Sequence, residues 1–100
     1  MNPMFFKKQP WEQRQLEIDW SDSLATGDTI SSVASVTMLD SNDADVSANM
    51  ISGNPTVSTP KVYVVIKGGT HQENYKLSLR VNTANGDKIE DDLKIMIREE

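Results

Sequence analysis

The chain has a single histidine, His71, set in Gly68-Gly69-Thr70-His71-Gln72-Glu73-Asn74 between two apolar runs. A loop in that position can carry a catalytic or ligand role, and Glu73 stands close enough in sequence to pair with the imidazole. No serine, cysteine or second carboxylate occurs at a spacing that marks a hydrolytic constellation, so a solvated loop histidine is the plainer reading. Asp40-Ser41-Asn42-Asp43-Ala44-Asp45 opens like a calcium loop. Ala44 then occupies a ligand position, Asp45 stands where the sharp turn needs glycine, and Ile51 replaces the closing bidentate glutamate. With no cysteine, thiolate and zinc-thiolate chemistry and disulfides are excluded. Asn54-Pro55-Thr56 has proline in the position that disqualifies a glycosylation acceptor, and Gly68-Gly69 has no phosphate-loop pattern around it. The residues point to no catalysis, cofactor or metal.

What remains is binding. Met4, Phe5, Phe6, Lys7 and Lys8, followed by Trp11, combine bulky apolar groups with positive charge in a stretch without periodicity that also contains Pro3 and Pro10. Residues 1–12 therefore read as an extended arm, suited either to docking on a neighbouring subunit or to folding back on its own domain. His71 and Glu73 join these six as candidate partner-binding residues. Tyr63 and Val65 share one face of a strand and belong either to the second half of the core or to an intersubunit contact, with the core favoured.

The net charge of −5 is unevenly spread. Residues 15–60 hold seven acids (Glu17, Asp19, Asp22, Asp28, Asp40, Asp43 and Asp45) and neither lysine nor arginine. Such a field repels nucleic-acid phosphates and makes a head-to-tail contact between the basic start and an acidic flank conceivable, although solubility alone explains acidic surfaces. The N-terminus lacks the order of a signal peptide and no apolar run approaches a membrane span, so we expect a soluble protein made in the cytoplasm, binding neither membrane nor nucleic acid.

The elements that must position these groups read as strands. Leu16, Ile18 and Trp20 alternate with Glu17 and Asp19, as in a half-buried strand. Ser21 to Asp28 is a loop with a possible helical turn at Ser21–Leu24. Thr29–Met38 is β-branched and serine-rich, Leu39–Asp45 is a polar loop, Gly53-Asn54-Pro55 reads as a turn, and Val57–Thr59 as a short edge strand. Lys61–Lys67 places Val62, Val64 and Ile66 on one face and Tyr63 and Val65 on the other, which predicts that both faces are covered. Tyr75, Leu77, Leu79 and Val81 alternate through Thr83, Asn85-Gly86 signals a hairpin, and Lys88–Arg98 returns, with a bulge or a twist expected at Asp91-Asp92. About seven strands and no helical period fit one domain over residues 13–100, an antiparallel two-sheet sandwich with a small barrel as runner-up.

Leu16-Glu17-Ile18-Asp19-Trp20-Ser21, Leu24, Gly27-Asp28-Thr29-Ile30 with Ser31-Ser32-Val33, Ile66-Lys67-Gly68-Gly69-Thr70, Tyr75, Val81-Asn82-Thr83 and Asn85-Gly86 together resemble the phage fiber-tail adaptor proteins, also called Gp77-like. The resemblance covers about residues 7–97. It departs at Ala34, where the family often has tryptophan, in the acidic loop Asp40–Asp45, and in His71-Gln72-Glu73, where a glycine is usual. It implies an all-β, Ig-like virion structural protein of the tail or fiber region, a non-enzyme that works by self-assembly, as a homo-oligomer, and by contact with tail and fiber proteins. The alternative is a carbohydrate- or cell-surface-binding Ig-like module. In Ig-like sandwiches a tyrosine after a sheet-to-sheet corner can bond back to the corner backbone, and Tyr75 is the candidate.

Overall fold

The structure, a computed structural model, describes the backbone of residues 4–99 and the side chains of residues 6–99. Seven strands form two sheets: β1 (Met4–Lys8), β2 (Arg14–Asp19), β3 (Ile30–Leu39), β4 (Ile51–Ser58), β5 (Lys61–Ile66), β6 (Asn74–Thr83) and β7 (Lys88–Ile97), with one helical turn, α1 (Ser47–Met50), before β4. The larger sheet has the order β1-β7-β6-β3 and the smaller β2-β5-β4. The sheets close on each other as a sandwich, not as a barrel.

Alternation decides what each sheet buries. Leu16, Ile18, Val62, Val64 and Ile66 from the smaller sheet meet Met38, Leu77, Leu79, Val81, Leu93, Ile95 and Ile97 from the larger, with Trp20, Ile30 and Met50 closing the ends. Aliphatic side chains in period two give each sheet one apolar face, and removal of those faces from water drives the layers together.

Four expectations need correction. Met4–Lys8, read as an unpacked arm, is a strand in parallel register with β7, from Met4 opposite Leu93 to Lys8 opposite Ile97. Gly53-Asn54-Pro55 does not end a strand; it is the irregularity between Ser52 and Thr56 within β4, an edge strand, where a missing proline N–H costs no ladder bond. Asp91-Asp92 makes no bulge, because the β6–β7 ladder runs unbroken through Ser78 opposite Asp92 and Leu79 opposite Asp91. Tyr63 and Val65 are half-buried on the outer face of the smaller sheet, outside the core, and the Tyr63 hydroxyl lies 3.2 Å from a Glu17 carboxylate oxygen that also pairs with Lys61 at 2.9 Å.

The Asn85-Gly86 hairpin is present in a longer form than a two-residue turn. The Thr83 amide donates to the Asp87 carbonyl across Ala84-Asn85-Gly86, and only Gly86, at φ +94°, takes the left-handed conformation.

Candidate docking surface

β1 and β7 run the same way, so Lys8 and Ile97 finish at one end of the sandwich, together with the start of β6, the end of β3 and the β1–β2 turn. This end gathers the candidate residues whose side chains are described. The turn after β1 is closed twice: the Gln9 amide donates to Glu12 Oε1 at 2.7 Å, and the Glu12 amide donates to the Gln9 carbonyl at 3.1 Å. Beneath it Lys8 is 1% exposed, its Nζ donating to the carbonyls of Gly68 at 2.6 Å and Gln9 at 2.7 Å. Burial pushes the Lys8 ammonium below its ordinary value, with Glu12 opposing. Phe6 packs against the core under the Arg14 guanidinium, which stands 5.5 Å from its ring centroid. Trp11, at the tip, is 94% exposed. Lys7 is exposed, and the side chains of Met4 and Phe5 lie outside the described residues.

The loop from Gly68 to Asn74 crosses from β5 in one sheet to β6 in the other. At that corner the Thr70 amide donates to the Tyr75 hydroxyl at 3.0 Å, the contact expected of a tyrosine corner. Replacing Tyr75 with phenylalanine is expected to cost about 1 kcal/mol or more in chemical denaturation, since the amide loses its acceptor; an unchanged unfolding midpoint would show that water replaces the hydroxyl at no loss.

The corner is also tied to the chain's last described residues. The Gln72 amide donates to the Ile97 carbonyl at 2.8 Å and the Ile97 amide to the Glu73 carbonyl at 3.1 Å. His71 Nδ1 accepts the Glu99 amide at 2.8 Å, while Arg98 donates to the Glu73 carbonyl at 3.3 Å and to Asn74 Oδ1 at 3.0 Å. The Arg98 amide reaches the Lys8 carbonyl at 2.9 Å. Lys8, His71 and Glu73 therefore do come together, but through backbone, and His71 takes a main-chain donor as partner where the sequence suggested Glu73.

Across the same end, on the β3–β4 side, lies an open cleft of about 430 Å3 whose walls include Asp40, Asn49, Met50, Thr70, Glu73 and Tyr75. Its acidic loop is internally organised. Asp40 Oδ1 accepts the amides of Asn42 and Ala44, and Asp45 Oδ1 accepts both the amide and the hydroxyl of Ser47. Those bonds hold the Asp45 carboxyl below the usual carboxylate range.

The opposite end is stapled. Buried Asp28 accepts the amides of Thr29 at 2.8 Å and Asn85 at 3.0 Å through Oδ1, and the Ala84 amide donates to the Thr29 carbonyl at 2.8 Å. Burial pushes the Asp28 carboxyl up, but the Thr83 hydroxyl and the amides of Asn85, Thr29 and Ala84 outweigh it and hold the group below its ordinary value. The sign follows: a carboxyl depressed in the folded state supports the fold above pH ~4 and loses that support as pH falls through its folded value. Asp28→Ala is therefore expected to show a smaller loss of stability than the parent between pH 5 and pH 3, although it starts less stable at pH 7. Asp91, raised chiefly by burial, works in the opposite sense. Urea titrations at the three pH values check this; parallel losses in both proteins would remove Asp28 from the acid response.

Asp28 and Arg98 did not stand out in the sequence. Each bonds to residues far along the chain, and a lone acid after glycine or a lone terminal arginine carries no local signal. Their place in the structure also accounts for the spacing of Gly27-Asp28-Thr29 with Thr83 and Asn85-Gly86, and of Gly68-Gly69-Thr70 with Tyr75: the two groups are the ties at the two ends.

A family model described as Podophage GP4 fiber-tail adaptor protein gp77 matches residues 8–98 of the chain. No curated protein matches it.

Proposed function

Because the chain belongs to the podophage GP4 fiber-tail adaptor gp77 family, and so has a structural role in the tail and fiber region of a phage virion, we propose that it works by self-assembly and by protein–protein contact through the end that carries Trp11. The observation that carries this reading is the arrangement of that end. A fully presented indole stands on a turn closed by Gln9 and Glu12 over Lys8, beside a corner whose loop is bonded at Gln72 and Glu73 to Ile97, the last residue of β7. Rigid presentation of an aromatic group lowers the ordering cost of docking, and tryptophan is enriched among residues that dominate interface energies. The tail and fiber proteins are its partners, with further copies of itself, and the chain binds without catalysing a reaction, free of membrane and nucleic acid, after synthesis in the host cytoplasm.

The strand order supports an Ig-like classification. β2-β5-β4 opposite β7-β6-β3 matches the two facing sheets of that fold, and the corner tyrosine opens the sixth strand as it does there.

Particles assembled without this chain test the function. They are expected to lack attached fibers by electron microscopy and to recover them when purified protein is added. Particles that carry fibers in its absence would remove the adaptor role.

A further inference from the structure

Trp11 and the open cleft belong to the same end of the molecule but to opposite sides of it. The β1–β2 turn joins one edge of the larger sheet to one edge of the smaller, whereas the cleft lies where β3 ends and β4 begins, at the other two edges. The indole therefore cannot fill the cleft of its own chain. Their chemistry is nevertheless complementary. Around the turn, Lys7, Arg14 and Arg98 line one shallow groove together with Glu12, above the buried Lys8. The cleft has Asp40 and Glu73 in its walls, with the largely buried Met50 and Tyr75 behind them, and continues into a stretch that carries no base from residue 15 to residue 60. Its volume of about 430 Å3 falls within the roughly 300–1,000 Å3 of pockets that enclose whole small ligands, enough for an indole.

We propose that Trp11 of one copy inserts into the Asp40–Tyr75 cleft of a second copy, so that copies join head to tail. A contact between two different patches of one chain is heterologous and propagates to a closed ring or a filament. The basic surround of the turn faces the acidic walls of the cleft, which orients the approach and makes the association sensitive to salt. The inference rests on the self-assembly part of the proposed function and names the surfaces that carry it.

Two variants and their mixture test it, with mass measured by light scattering after size exclusion. Trp11→Ala removes the knob, and Asn49→Arg, at an exposed position of the cleft wall, blocks the hole with bulk and positive charge. The full-length parent is expected to form a defined oligomer that weakens as sodium chloride rises. Each variant alone is expected to self-associate roughly 30-fold or more weakly, the scale of a tryptophan hot spot. Mixed, they are expected to form a one-to-one dimer that grows no further, because the Trp11→Ala copy still offers its cleft and the Asn49→Arg copy still offers its indole. A monomeric parent, a Trp11→Ala protein that assembles like the parent, or a mixture that stays monomeric would each overturn the proposal. Circular dichroism melting of each variant separates lost contact from lost fold. If Trp11→Ala leaves self-association intact but prevents incorporation into particles, the knob serves another virion protein: this inference fails while the adaptor role stands.

Discussion

Replacing Trp20 with alanine is expected to cost about 3–5 kcal/mol, a large share of the roughly 5–15 kcal/mol that holds a domain of this size together. The indole is wholly buried between the sheets at the stapled end, where the Trp20 amide donates to the Pro60 carbonyl at 2.8 Å and its own carbonyl accepts the Ser23 and Leu24 amides. The surrounding backbone is thus fixed by the same residue, and the site cannot collapse around the missing volume. Trp20→Phe makes the informative comparison. Among the described residues the indole N–H has no hydrogen-bond partner, so phenylalanine loses part of the packing while removing an unsatisfied donor, and a loss of about 1–2 kcal/mol is expected. Urea denaturation of both variants measures the difference; equal losses would mean that the indole N–H makes a bond that matters.

Gly69→Ala is expected to cost about 2–4 kcal/mol and to loosen the docking end specifically. Gly69 has φ +99°, and a Cβ there would lie 2.7 Å from Ile97 Cγ1 and 2.9 Å from Cδ1. Backbone strain and overpacking each contribute on the order of 1–3 kcal/mol. Gly27→Ala supplies the control, because Gly27 has φ +79° and a Cβ there would meet no atom within 4 Å, leaving only the conformational cost of about 1–2 kcal/mol. If both variants lose the same stability, the Gly69–Ile97 approach contributes nothing. Ile97 is the residue that holds the corner loop through its amide and carbonyl. Its displacement is expected to raise amide exchange at Gln72 and the Glu73–Ile97 bond before it reaches the rest of β6.

The sandwich was legible wherever one face of a strand is apolar and the other polar. Leu16-Ile18-Trp20, Val62-Val64-Ile66 and Tyr75-Leu77-Leu79-Val81 all point inward as their alternation requires. The corner at Tyr75 was legible too, because a tyrosine that follows a sheet-to-sheet crossing can turn its hydroxyl back to the corner backbone. β1 was not. Phe6 and Lys8 owe their strand to a parallel partner at the other end of the chain, a pairing that leaves no local period. The Gly53-Asn54-Pro55 segment misled because the same residues that make turns also make irregularities on an edge strand. Asp91-Asp92 misled for a different reason: an unbroken ladder keeps the polar pair in register, leaving Asp91 half-buried and Asp92 exposed. Of the candidate site, Trp11 stands out by its type and Lys8 by its charge. The exposure of the first and the burial of the second depend on the turn between them, which three-dimensional closure alone reveals.

The parallel course of β1 and β7 bears on how the protein is handled. Met4 lies opposite Leu93, midway along β7 and away from the docking end, whereas Glu99 lies beside His71 and the corner loop, next to the turn that presents Trp11. An affinity tag or fluorophore at the carboxyl terminus would crowd the docking surface and mimic a defective variant. The amino terminus is the side on which to label this molecule, and a matched pair of proteins tagged at either terminus would itself report which end meets its neighbours.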